Sequence, residues 1–483
     1  MNSPVSNSRA EQQEIDASAK WPVLVFLGSA LAWLLLGGVM QLAANMQLHN
    51  PAFLSGCAWT THGRLAPAAE NVLVYGWGFN AAFAFVLWLM ARLSATTLRH
   101  GGWLFVGAKF WNLGVTLGVG GILAGYSTSF DLLEMPRFVV LLLLVAYALI
   151  GVWGVTTFSI RNTENVYASQ WYLFGAAFWF PWIYSIAQIM LFRAPVRGVL
   201  QPIVDAWYVN GLYSLWFLPI ALAAIYYFLP KLLGKPIKSY YLAPLAFWWF
   251  VAASALAGGS RLVGAPVPVW VPTLGIVSHM LLVLPVIILL VNFIGTLKGS
   301  LGAVAGSLSL RFIALSIAGF FTAVILGMVL AVRSVAAHTA FTQWETLRDW
   351  LALYATFSVA MFGAAYFYLP RLTGKVWRSS ALTGAHFGAT LLGVIAIVIG
   401  LAGAGCTQAH KLADASVEFY KITDSLAAWH TFNSVGLGLL LLGNVAFFLN
   451  FIWIACPINS RSTATAEIPV PPALTLATKE GHA

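Results

Sequence analysis

Charge is scarce in this chain. Its 483 residues include 25 Lys and Arg and 15 Asp and Glu, so 8% are charged, where a soluble domain has about 25%. That scarcity excludes a soluble enzyme and a disordered chain. Cysteine is scarcer still, and three residues are too few for a disulfide framework. Histidine, a common ligand of iron and copper, is absent between His100 and His279. The polar stretch before Trp21 lacks a short apolar core with a cleavage site, so no removable signal peptide is expected. The net charge of +10 does not imply a nucleic-acid partner, because basic residues in so apolar a chain mainly set topology.

What is abundant is apolar: 60% of residues are hydrophobic, with 21 Trp, 32 Phe and 16 Tyr. Runs of about 20 apolar residues, long enough to cross a bilayer, recur from end to end. The chain therefore reads as an all-α polytopic membrane protein whose solvent is the lipid bilayer. Its twelve expected helices cover 22–45, 72–94, 101–125, 137–159, 170–193, 206–230, 242–264, 270–296, 308–332, 348–369, 381–405 and 428–455. A polar tail over 1–20 precedes this single domain of 21–456. The tail over 457–483, rich in Pro, Thr and Ala, is expected to be disordered.

The connections differ in charge. Those after even-numbered helices carry Arg92, Arg99, Arg161, Lys231, Lys235, Lys238, Lys298, Arg311, Arg371, Lys375 and Arg378 against one acid, Glu164. The odd connections carry nine basic and nine acidic residues. The positive-inside rule then puts the even connections and both termini, and hence both tails, in the cytoplasm.

Two strings repeat. The sixth helix ends Tyr226-Tyr227-Phe228-Leu229-Pro230-Lys231 and the tenth ends Tyr366-Phe367-Tyr368-Leu369-Pro370-Arg371. A weaker echo, Ala91-Arg92-Leu93, lies one such period earlier, at the end of the second. Helices 2, 6 and 10 are therefore expected to be equivalent members of three four-helix repeats.

With these features the chain resembles subunit I of the haem–copper oxidases, and most of all the cbb-type (C-family) cytochrome c oxidase large subunit. The resemblance spans about residues 20–455 and rests on ordered short strings. Gly63-Arg64-Leu65-Ala66-Pro67 with Glu70-Asn71 is similar to the entry to helix 2, and Gly125-Tyr126 through Leu133-Glu134-Met135-Pro136 to the connection before helix 4. Val166 to Tyr172 resembles the start of helix 5; Trp207-Tyr208 and Ser239-Tyr240 frame helix 6; Thr273-Leu274-Gly275, Trp344 and His386-Phe387 fall in step later. The resemblance implies a subunit I-like bundle with a pseudo-threefold repeat.

It also implies where haem b and copper would be held, by His throughout. Carried over residue by residue, those positions hold something else. The helix 2 ligand of the low-spin haem falls on Ala69. The helix 6 copper ligand falls on Asn210, the copper pair after helix 7 on Ser260 and Arg261, and the helix 7 Tyr on Ser254. The pair on helix 10 that serves both haems falls on Arg348 and Trp350. Counted back from the basic helix ends, Ala69, Asn210, Arg348 and Trp350 are 20–22 residues away, roughly 30 Å at about 1.5 Å per residue. All would share one layer.

Among the histidines, His49, His62, His338, His410 and His430 fall in or near odd connections, His100 and His482 on the cytoplasmic side, and His386 near the inner end of helix 11. His279 alone falls near the haem depth. It is the candidate for a solitary cofactor ligand, set against a satisfied buried imidazole. Lys109, inside helix 3, is expected to snorkel to the inner interface, set against a functional role for a charge within the membrane. Arg261 is expected to meet Glu70, Asp349 or a lipid headgroup. Arg348 and Asp349, about 100° apart as helix neighbours, are not expected to pair.

Three functional readings follow. The first is a ligand-free paralogue of the oxidase large subunit, a structural or regulatory component of a respiratory assembly in a bacterial inner membrane, beside membrane-anchored cytochrome c-type subunits. It needs no cofactor, and this chain alone would not be catalytic. The second is an active terminal oxidase with haem b and copper. The third is a transporter or proton channel on the same bundle. Cys57 and Cys406 share the odd, oxidising side, where a disulfide is permitted if the ring of helices closes.

Overall fold

The computed structural model describes residues 4–99, 101–163 and 166–455. His100, Glu164, Cys456, His482 and the tail over 457–483 lie outside them. Twelve of its helices are long and apolar enough to cross a membrane, and no strand occurs among the described residues. They are α1 (Ala10–His49), α2 (His62–Ser94), α3 (Gly101–Ala124), α4 (Arg137–Ser159), α5 (Ala168–Arg193), α6 (Leu200–Leu233), α7 (Leu242–Leu262), α8 (Trp270–Leu297), α9 (Leu308–Ala331), α10 (Gln343–Thr373), α11 (Ser380–Leu412) and α12 (Ala427–Ala455).

The first boundary differs most from expectation. The first helix starts at Pro4 rather than 22, because its polar turns have somewhere to pack. Ile15 and Ala19 are buried. Asp16 accepts from Trp88 Nε1 at 3.1 Å and pairs with Arg92 at 3.4 Å. Polarity here marks contact with the basic helix ends rather than a free tail.

Helices α2, α6 and α10 are the central pillars. In their most apolar stretches 94%, 89% and 89% of residues are buried, against 28–56% in the other nine. The remaining helices surround them, and α12 closes the ring by packing on α1. At the basic end the pillars meet through Trp88, Phe228 and Phe367, whose ring centroids lie 5.1–6.2 Å apart.

The repeat is explicit in the backbone. Each pillar ends in a left-handed residue four positions after the aligned site: Ala95 (φ 49°), Gly234 (φ 62°) and Gly374 (φ 68°). Their N–H groups bond back to Ala91, Pro230 and Pro370. Glycine fits this cap without strain. Ala95 takes the same conformation with a Cβ in place, one of the differences that leave the first pillar, α2, only an echo of the motif.

Candidate functional site

Each pillar also interrupts its α-helix at one level. Phe79, Leu218 and Val359 donate their N–H to the carbonyls of Val74, Tyr213 and Tyr354, five residues back. These π-turns cover Val72–Gly78, Leu212–Phe217 and Leu351–Ser358. Such turns are rare and cluster at functional sites. The residues singled out from sequence lie just before them: Ala69, Asn210, Arg348 and Trp350.

Three adjoining cavities occupy this level. The first, about 50 Å³, is lined by Asn210, Ser254, Arg261, His279, Arg348 and Asp349 among others. The second, about 250 Å³, is acidic, with Glu70, Asp131, Glu345 and Asp349 around Arg261. The third, about 220 Å³, has Ala69, Trp350, Glu70, His62, His430 and Asn433 in its wall. The first two share Tyr213, Arg261 and Asp349; the last two share Glu70 and Trp350. Apart from Ser260, which lines neither cavity, the carried-over positions thus divide in two. Ala69 and Trp350 face the third cavity together, and the Trp350 indole stacks on Tyr354 at 5.4 Å. Asn210, Ser254, Arg261 and Arg348 face the first.

Arg261 takes Asp349 as its partner and leaves Glu70 to the cavities. Its Nη1 and Nη2 donate to the two carboxylate oxygens at 2.8 and 2.6 Å, a bidentate pair between α7 and α10. Arg348 Nε donates to the same carboxylate at 3.1 Å. That corrects the expectation that neighbours on one helix stay apart. The 100° separation describes where side chains leave the backbone, and an arginine is long enough to fold back. Ser260 Oγ donates to the Ala257 carbonyl at 3.0 Å and lies 3.2 Å from His279 Nδ1. His279 is buried, and its Nδ1 lies 3.1 Å from the Gly275 carbonyl. A carbonyl can only accept, so Nδ1 carries the proton and Nε2 the lone pair.

The donors at these positions are unlike imidazoles. A guanidinium has no lone pair to give, an indole N–H only donates, and alanine has neither. Among the described residues no group of three or more His, Cys, Asp or Glu is placed to hold a metal ion.

Other candidates fall away from this level. His386 is fully buried near the basic end, with Nδ1 2.9 Å from the Tyr366 hydroxyl. Lys109 is exposed on α3, as snorkelling requires. Cys57 and Cys406 are both exposed free thiols, so the ring closes without a bond between them.

Sequence reasoning passed over two groups beside the cavities. Asn433 is buried on α12 with neither polar side-chain atom partnered; the asparagines that interrupt this apolar helix were the available signal. Glu134, in the connection between α3 and α4, accepts from Asn71 Nδ2 at 2.7 Å. Burial outweighs that bond and raises its carboxyl to about 7. The folded chain therefore holds this proton more tightly than the unfolded chain, and stability falls as pH rises from about 4.5 to about 7. Glu134→Gln should flatten thermal stability between about pH 5 and 7.5; an unchanged slope would show the titration lies elsewhere.

Comparison with known proteins agrees with this architecture. A family profile described as "Cytochrome C and Quinol oxidase polypeptide I" matches residues 22–439. The chain is 24% identical over 458 residues to the cbb3-type cytochrome c oxidase subunit CcoN1 of Stutzerimonas stutzeri, covering 91% of this chain and 94% of that one. It is 24% identical to cytochrome c oxidase subunit 1 of Rhodobacter capsulatus, covering 91% and 86%. Among solved structures, a heme-copper terminal oxidase dimer determined by cryo-EM superposes with a TM-score of 0.70 at 15% identity, over 94% of this chain and 86% of that one.

Proposed function

This chain belongs to the cytochrome c and quinol oxidase polypeptide I family, and from that premise we propose that it is a ligand-free paralogue of the oxidase large subunit. It keeps the membrane scaffold, has lost the redox centres, and serves as a structural or regulatory component of a respiratory electron-transfer assembly. The observation that carries the proposal is the Arg261–Asp349–Arg348 triad. Two of the carried-over ligand positions are guanidiniums, which repel a metal cation and have no lone pair for it. Their shared carboxylate is already engaged by three N–H donors. The residues present do not fit haem or copper, and no electron-transfer step is assigned to them.

The partners proposed are membrane-anchored cytochrome c-type subunits. The bacterial relatives support a bacterial inner-membrane location, and the basic residues at the pillar ends support cytoplasmic termini. By the same rule the first turns of the first helix and the residues over 457–483 are on the cytoplasmic side of one domain. Affinity purification of the tagged chain from native membranes in mild detergent is expected to bring down haem c-containing subunits in near-stoichiometric amount. Recovery of the chain alone, under conditions that keep an oxidase complex intact, would count against the assembly role.

A further inference from the structure

The three pillars bring three cations to one place. At their basic end the rings of Trp88, Phe228 and Phe367 meet, with centroids 5.1–6.2 Å apart. Arg92, Lys231 and Arg371 follow those rings by four, three and four residues. Residues three or four apart share a helix face. The repeat that gathers the rings therefore gathers the cations as well, one helical turn nearer the cytoplasm. The Arg371 guanidinium lies over Phe367, with Cζ 4.0 Å from the ring centroid. Lys231 is within electrostatic reach of both Arg92 and Arg371, and Arg92 of Arg371. Setting topology needs no such convergence. Arg99, Lys235, Lys238, Lys298 and Arg378 serve it from exposed positions, whereas these three residues are partly buried.

Little neutralises the cluster. Asp16 pairs with Arg92 at 3.4 Å. Among the described residues it is also the one carboxylate within electrostatic reach of Arg371, and none is within reach of Lys231. Among those residues neither Lys231 nor Arg371 forms an ion pair or donates a hydrogen bond. Three cations against one carboxylate leave a net charge of +2. Like charges held together and half shielded from water repel, and a bound anion removes that cost. A phosphate group carries about −1.5 to −2 at neutral pH and offers three acceptor oxygens. Guanidiniums grip two such oxygens at once, and an ammonium holds phosphate as a point charge. Position selects the source. The pillars are central and the other helices surround them, so a molecule from the cytoplasm reaches their ends more directly than a lipid headgroup at the rim.

We infer that Arg92, Lys231 and Arg371 form a cytoplasmic site for the phosphate group of a soluble molecule. The site lies roughly 30 Å along the pillars from the cavities, so it does not depend on the ligand-free reading. The purified full-length chain in phosphatidylcholine nanodiscs is dialysed to equilibrium against radiolabelled inorganic phosphate, at fixed ionic strength and neutral pH. Saturable binding near one phosphate per chain is expected. Lys231→Gln and Arg371→Gln should each weaken it about tenfold, the loss of one charge-assisted contact. Lys231→Arg should retain it. Lys298→Gln, which removes an exposed charge from the same side, should leave it unchanged. Lys231 has no ion-pair partner to lose, so its variant decides the matter if Arg371→Gln fails to fold. Absence of saturable binding, parental affinity in Lys231→Gln, or equal weakening in Lys298→Gln overturns the site. Complete loss of binding once a small fraction of the lipid is phosphatidylglycerol identifies a lipid headgroup as the occupant and overturns the soluble source.

Discussion

Replacing Asp349 by Asn will cost the folded bundle about 3–5 kcal/mol, the penalty for removing one partner of a buried ion pair. Asp349 accepts from Arg261 at 2.8 and 2.6 Å and from Arg348 at 3.1 Å, and all three side chains are 12–21% exposed. The substitution keeps shape and removes only charge, so two guanidiniums lose the one carboxylate they pair with directly. Because the pair joins α7 to α10 at the level of the π-turns, the loss should also loosen the cavity wall. Denaturant unfolding of the variant and the parent in the same detergent measures it. A difference below about 1 kcal/mol would mean that solvent in the cavities screens the triad, and that it is not the strut described here.

Gly275→Ala should be nearly as damaging, by a different route. A Cβ there would press on the backbone of Gly259 and Ser260, atoms that cannot rotate away. Helix α8 would have to move off the turn over Ala257–Leu262, which carries Ser260 and Arg261. Overpacking costs about 1–3 kcal/mol, and displacement of the Arg261–Asp349 pair adds to it, so a loss near the top of that range is expected. Gly384→Ala on α11 is the matched control, since nothing lies within 4 Å of its Cβ. Helix propensity alone makes that change neutral or stabilising. If both variants unfold together with the parent, the close approach of α8 to the turn is not what sets the site.

Much of the fold was legible because hydrophobic runs and basic stops are local signals. The twelve spans and the equivalence of Pro230 and Pro370 needed no tertiary information. Three things did. The early start of the first helix depends on Asp16 finding Trp88 and Arg92 on another helix. The copy of the repeat in α2 was faint because Ala91 and Ala95 stand where the other pillars have proline and glycine, and the π-turns leave no mark in composition. The site was half legible. Carrying positions over from the family pointed to Arg261, with Glu70, Asp349 or a lipid headgroup left open as its partner. It could not show that Ala69 and Trp350 face one cavity while Asn210, Ser254, Arg261 and Arg348 face another. That division arises from the packing of distant helices. The pairing of Arg348 with its own neighbour was missed because side-chain reach was judged from Cα–Cβ directions.

The central claim is that the scaffold persists without its redox centres, and cofactor content tests it most directly. The full-length chain, purified from cells supplied with haem precursor and copper, should show no Soret band in its reduced-minus-oxidised spectrum. Copper, measured by atomic spectrometry, should be well below one ion per chain. A haem spectrum at about one per chain would contradict the account. Loss of that spectrum in His279→Ala would then name the ligand.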